Sequence, residues 1–115
     1  MIKVKRVYEP ASDDDGKRIL VDRLWPRGLK KDAAKIDLWL RDIAPSDSLR
    51  KWFMHDPSKW EQFKIRYAKE LFDKKQIVDR IKSLERENNT VTLLFSSKEE
   101  RYNNAVALRD YIKSL

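Results

Sequence analysis

Two short apolar runs, ILV at 19–21 and VTLLF at 91–95, constrain the fold of this chain more than any other feature. Neither shows the apolar–polar alternation of a strand with one wet face. Each therefore reads as a strand buried on both sides, the pattern of a parallel sheet with covered faces. A third segment, IKVKRVY at 2–8, alternates and suits a half-buried strand. Between it and ILV lies EPASDDDGK, where Pro10, Ser12, Asp13–Asp15 and Gly16 predict a solvated acidic loop with at most one helical turn. That connection is too short for a crossover helix of about a dozen residues, which leaves the relative direction of the first two strands open.

Helical spacing fills most of the stretch between the two apolar runs. Ile36, Trp39, Leu40 and Ile43 predict two turns in an otherwise irregular region from Leu24 to Pro45. Ser46 is a good N-cap for a helix running to about Phe53, with Asp47 at its positive end. Asp56-Pro57 is a second start signal, a cap followed by a first-turn proline. The helix after it places Trp60, Phe63, Tyr67 and Leu71 on one face. Residues 75–87 repeat that pattern with Ile77, Val78, Ile81 and Leu84, and Asn88-Asn89 ends it. A last helix follows VTLLF, using Tyr102, Ala105, Val106, Leu108, Ile112 and Leu115. The expected fold is α/β: a small, at least partly parallel sheet covered by helices, a single three-layer-like domain over residues 1–115.

Composition narrows the chemistry. The chain has no cysteine and one histidine, which excludes disulfides, thiol nucleophiles, Cys-ligated metals and His-rich metal cages, and no metal site is predicted. Two glycines in all leave no glycine-rich loop of the dinucleotide or P-loop type. No segment has transmembrane length and the N-terminus does not look like a signal peptide, so a cytoplasmic protein with no membrane partner is expected. Charged residues make up 39%, against about 25% in typical domains. The net charge of +7 is spread along the chain with no basic tail. Such a field favours anions in general, from phosphorylated metabolites to nucleic acid.

In an open α/β sheet, ligands bind beyond the carboxyl ends of the strands. Two donor-rich segments leave such ends, DRLWPRGLKK after ILV and SSKEERYNN after VTLLF. Arg23 and Arg27 are fork donors suited to phosphate or carboxylate, and Lys30 and Lys31 add point charge. Trp25 offers a flat face for stacking, Pro26 stiffens the turn, and Gly28 admits a positive φ. Each has a structural alternative: the arginines could pair with Asp22 or Asp37, and Trp25 could be core. His55, in WFMHDPSKW, is the one ordinary acid–base candidate near neutral pH, or else a helix-end structural residue. Ser96 and Ser97 lack a nearby histidine and a nucleophile elbow, which argues against a hydrolase triad.

RILVDRLWPRGLKK, DLWLRDIAPSDSLRKWFMHDPSKWEQFKIRYAKEL and VTLLFSSKEERYNNAVAL, taken in that order, resemble the DUF488 family in its YeaO-like branch, over nearly the whole chain. The resemblance implies a compact α/β domain and a family known chiefly as uncharacterised. It puts Arg23, Trp25, Pro26, Arg27, Gly28, Lys31, Ser46, Arg50, Trp52, His55 and Asn103 on recurring motifs without giving any of them a role. At the last motif the chain departs: members of that branch commonly read His-Asn-x-Ala, where this chain has Tyr102-Asn103-Asn104-Ala105. The expected function is binding, or turnover, of an anionic ligand such as a nucleotide or phosphorylated metabolite. Arg23, Trp25, Arg27, Lys31, Ser96 and Asn103 are the candidate ligand-binding residues, and His55 is the candidate catalytic group. No cofactor is specified. The alternative is a nucleic-acid-binding or regulatory module that uses the dispersed basic surface, although no known nucleic-acid motif is present.

Overall fold

A computed structural model describes all 115 residues. Four strands, β1 (Ile2–Arg6), β2 (Lys17–Leu20), β3 (Leu38–Trp39) and β4 (Val91–Phe95), form one sheet in the order β1-β4-β2-β3. Every pairing is parallel, which resolves the direction of the first two strands: both run with β4, which lies between them. In register, Ile2 and Lys17 flank Val91, and Lys5 and Leu20 flank Leu94. All five residues of β4 are buried, as the unbroken apolar run requires of a central strand.

The five helices are α1 (Lys31–Ala34), α2 (Asp47–Phe53), α3 (Trp60–Phe72), α4 (Lys75–Asn88) and α5 (Asn104–Lys113). Ile2, Ile19, Val21, Val91, Leu93 and Phe95 form one face of the sheet and share a single core with buried residues of α2 to α5. Phe63, Tyr67 and Leu71 recur every four residues and line the buried side of α3. Phe53 stacks on Phe63 with ring centroids 4.1 Å apart and so clamps α2 to α3. The opposite face carries a smaller cluster, Val7, Leu20 and Leu94, covered by Trp25, Leu29, Ile36 and Trp39 from the irregular segment after β2. The third layer is therefore loop and the single turn of α1. No helix is long and apolar enough to cross a membrane.

Two local expectations change. The two turns predicted over 36–43 are a strand and a 3-10 turn instead. Main-chain bonds from Asp37 N to Arg18 O and from Leu40 N to Leu20 O draw this segment to the edge of β2, and only Arg41–Ile43 coils. The acidic loop is also not simply solvated, because Asp15 is buried. Its carboxylate accepts from Ser12 N at 3.0 Å, Arg18 Nη1 at 2.6 Å and Lys5 Nζ at 3.2 Å. Burial opposes ionisation there, but the Ser12 amide and the two cations outweigh it and hold the Asp15 carboxyl below its ordinary value. Gly16 follows at φ +62°, and a Cβ at this position would lie 2.1 Å from the Thr90 carbonyl oxygen. Only glycine fits where the loop turns into β2.

Candidate functional site

A cleft of about 830 Å³ opens beyond the carboxyl ends of β2 and β4. Its walls come from the 22–27 segment, from α2 with the residues that lead into it and the turn after it, and from the Ser96–Ser97 segment together with the start of α5, with Phe63 of α3 behind α2.

Asp22 ties two of these walls together. One carboxylate oxygen accepts from Ser96 N at 2.9 Å and Ser96 Oγ at 2.8 Å, and the other from Asn104 Nδ2 at 3.1 Å. Asn104 Nδ2 also donates to Val21 O at 3.1 Å, and Trp39 Nε1 donates to Asp22 O at 2.7 Å. The end of β2, the end of β4 and the start of α5 are thus pinned by one side chain.

Arg23 crosses to the start of α2 rather than pairing with Asp22 or Asp37. Its Nη2 donates to Ala44 O and Pro45 O, both at 3.3 Å. Its Nε is buried without a hydrogen-bond partner, and the nearest carboxylate, Asp47, is 3.9 Å away. Asp47 also lies 3.5 Å from Arg50 and stands between two cations of the cleft. Arg27 is exposed; its carbonyl accepts from Tyr8 OH at 2.7 Å, and its guanidinium takes part in no hydrogen bond or ion pair. Trp25 lines the cleft, but its indole N–H donates to Leu29 O at 2.7 Å and its ring meets Trp39 edge-on, 5.5 Å between centroids. It is a rigid wall as well as part of the second core.

The wall formed by α2 is held from behind. Ser46 caps α2 by accepting from Leu49 N, and Glu70 receives both Ser46 N at 2.8 Å and Ser46 Oγ at 2.7 Å. Tyr67 OH donates to Ile43 O at 2.6 Å and Lys74 Nζ to Ala44 O at 3.1 Å. Burial pushes the Tyr67 hydroxyl far above its usual range, with Glu70 and Asp22 adding to the shift, so it is a permanent donor here. Burial also lowers Lys74, aided by the nearby Arg23 and opposed by Glu70 and Asp42.

His55 lies in a turn where Met54 (φ +48°) and His55 (φ +55°) are both left-handed, an uncommon pair without glycine. Its Nδ1 lies 2.8 Å from Tyr102 O. A carbonyl only accepts, so Nδ1 carries the hydrogen in this contact and Nε2 is the ring nitrogen left without a partner.

The cleft therefore brings together Arg23, Trp25, Arg27, His55 and Ser96 from the residues singled out in the sequence, with Ser96 engaged by Asp22. Two others lie elsewhere. Asn103 is fully buried and caps α5, accepting from Val106 N at 2.9 Å and donating to Glu99 O at 2.8 Å. It is the adjacent Asn104 that reaches the cleft. Lys31 is exposed at the start of α1 and does not line it. Asp22, Asp47, Arg50, Lys51 and Asn104 are cleft residues that the sequence did not single out as ligand-binding.

Fold and cleft define a small parallel α/β domain with a basic, strand-end cleft. The chain belongs to the DUF488 family: it matches the model described as "Inactive DUF488-N3 subclade" over residues 1–115. It is 42% identical to the uncharacterized protein YeaO of Escherichia coli, over 99% of this chain and 98% of that protein. It is 47% identical over 72 residues to the uncharacterized protein Rv3073c of Mycobacterium tuberculosis, and to its counterpart Mb3100c of Mycobacterium bovis. That match takes in 63% of this chain and spans 61% of the length of each mycobacterial relative. No solved structure matches.

Proposed function

We propose that the strand-end cleft binds an anionic small molecule, a nucleotide or phosphorylated metabolite, and does so without turning it over. The observation that carries this reading is the charge of the cleft: Arg23, Arg27, Arg50 and Lys51 line it, and Asp47 is the one acidic side chain set against them. The other carboxylate, Asp22, is occupied by Ser96 and Asn104. Guanidinium forks suit the phosphate end of such a ligand. Trp25, Phe53 and Met54 offer apolar surface to the remainder, in a volume within the range of about 300–1,000 Å³ usual for ligand sites. A cytoplasmic setting, where such anions are abundant, fits this reading.

Two observations favour binding over turnover. The family model is described as an inactive subclade. Within the cleft, Asp22 accepts from Ser96 N, Ser96 Oγ and Asn104 Nδ2, so its carboxylate is committed to holding the strand ends together rather than to a ligand. That leaves His55 Nε2 as the free acid–base group, with a role in orienting the ligand. A nucleic-acid interface is the weaker reading. Trp52, the aromatic on the basic α2–α3 surface, already has Arg66 at 4.0 Å and Lys59 at 5.2 Å over its ring.

Thermal-shift screening with nucleotides and sugar phosphates, followed by calorimetry, tests the proposal. Arg27→Ala, which breaks no internal bond of its side chain, is expected to weaken the hit about tenfold, the loss of one charge-assisted contact. If no ligand stabilised the wild type more than Arg23→Ala or Arg27→Ala, the proposal would fail. Binding of single-stranded RNA or DNA with a steep salt dependence, and of no mononucleotide, would favour the nucleic-acid reading.

A further inference from the structure

A second cavity of about 400 Å³ lies on the outer side of β1, between that edge strand and the start of α5. It is lined by Arg6, Arg101 and Arg109, by Lys5, whose ammonium is paired with Asp15, and by Glu9 and Glu100. We propose that it is a separate binding site for a phosphate group, distinct from the strand-end cleft and independent of what that cleft binds.

Arg6 is the fixed element. On β1 it is in register with Phe95, so its side chain leaves the sheet on the helix-bearing side. Nε donates to Ser97 O at 2.9 Å, Nη2 lies 3.4 Å from Ser96 O, and the guanidinium sits 4.9 Å above the Tyr8 ring. These contacts orient the fork and leave Nη1 unbonded. Neither Arg6 nor Arg101 has a carboxylate within ion-pair distance, because Glu9 and Glu100 make no salt bridge. Arg109 has only its sequence neighbour Asp110, 3.2 Å from Nε.

Three guanidiniums around one small cavity repel one another unless an anion joins them. Planar forks with several free N–H groups match a tetrahedral oxyanion better than a halide or a single carbonyl. Val4, Phe95 and Val106 supply the only apolar lining. The cavity is also about half the volume of the cleft, which suits a phosphate or diphosphate rather than a whole nucleoside.

The site also has a line to the cleft. Arg6 holds the carbonyls of Ser96 and Ser97, the residues that form one wall of the larger cleft, while Asp22 holds Ser96 from the other side.

The test uses the full chain and inorganic pyrophosphate, followed by amide NMR shifts and calorimetry, with citrate as the carboxylate comparison. Wild type is expected to show shifts at residues 95–101 and at Arg6. The double variant Arg101→Ala/Arg109→Ala, which removes one exposed and one partly exposed side chain, is expected to lose at least about tenfold in affinity for this site. Arg23→Ala/Arg27→Ala in the cleft is expected to leave those shifts in place. The assignment is overturned if the double variant binds pyrophosphate as wild type does, if the cleft variant alone abolishes the shifts, or if citrate binds more tightly than pyrophosphate.

Discussion

Replacing Asp22 by asparagine should loosen the cleft by an amount that follows from its three side-chain bonds. The two from Ser96 would persist but lose their charge assistance. Bonds to charged groups contribute about 1.5–3 kcal/mol and neutral ones about 0.5–1.5, so each loses about 1 kcal/mol. The third is worse than weakened. With one amide oxygen facing Ser96, the new Nδ2 would face Asn104 Nδ2, donor against donor. Asn104 escapes only by flipping its carboxamide and giving up its bond to Val21 O. The three together come to about 3–4 kcal/mol, which the partial burial of these groups discounts to about 2–3 kcal/mol. For a domain of this size that is a fall in Tm of roughly 8–12 °C. Urea unfolding of Asp22→Asn, Ser96→Ala and the double variant measures it, and the cycle should show coupling of at least about 1 kcal/mol. A single-variant loss below about 0.5 kcal/mol, or strict additivity, would refute the idea that Asp22 ties the strand ends together.

Gly16→Ala should destabilise the fold by at least about 3 kcal/mol, read from the urea midpoint, because its Cβ would meet the Thr90 carbonyl at 2.1 Å in a backbone conformation reserved for glycine. Asp15 should give acid sensitivity of known sign. Its folded carboxyl is held below its ordinary value, so its stabilisation is complete above the unfolded aspartate range and is lost as pH falls through the lowered folded value. Asp15→Asn should flatten that part of a stability profile between neutral pH and about pH 2. Asp47→Asn should tighten anion binding in the proposed cleft site by about two- to fivefold at low salt, since an exposed carboxylate shared by Arg23 and Arg50 is the competitor removed. Calorimetry with the best ligand from the screen checks the direction.

Much of the frame was legible in the residues because it rests on local periodicity. VTLLF is central because both of its faces are apolar, and α3 is a helix because Phe63, Tyr67 and Leu71 recur at fours. The two-residue β3 was not legible. The spacing of Ile36, Trp39, Leu40 and Ile43 fits a helix equally well, and the choice is made by long-range bonds to Arg18 and Leu20. The candidate cleft shows the same division. Arg23 and Arg27 follow a strand end and could be placed there from the sequence. Asn103 and Asn104 are chemically identical neighbours, and only the cap geometry of α5 sends the first inward and the second to Asp22. Asp22 follows an apolar run as any strand-ending aspartate would, and its role depends on partners more than 70 residues away.

The distribution of free and engaged polar groups bears directly on what such a cleft can do. Proton transfer or nucleophilic attack needs a group that can change partners, whereas binding an anion needs fixed donors already pointing at empty space. Asp22, Ser96 and Asn104 bond one another, Ser46 is held by Glu70, and Trp25 has used its N–H within its own loop. The groups left over are four cations, Asp47 and His55 Nε2, with Arg23 Nε buried and unpartnered among them. Walls fixed by internal bonds lose little freedom when a ligand arrives, so the cost of reordering is confined to the exposed side chains of Arg27, Arg50 and Lys51. On the proposed reading, the same bonds that make the cleft rigid commit the Asp22 carboxylate to its frame.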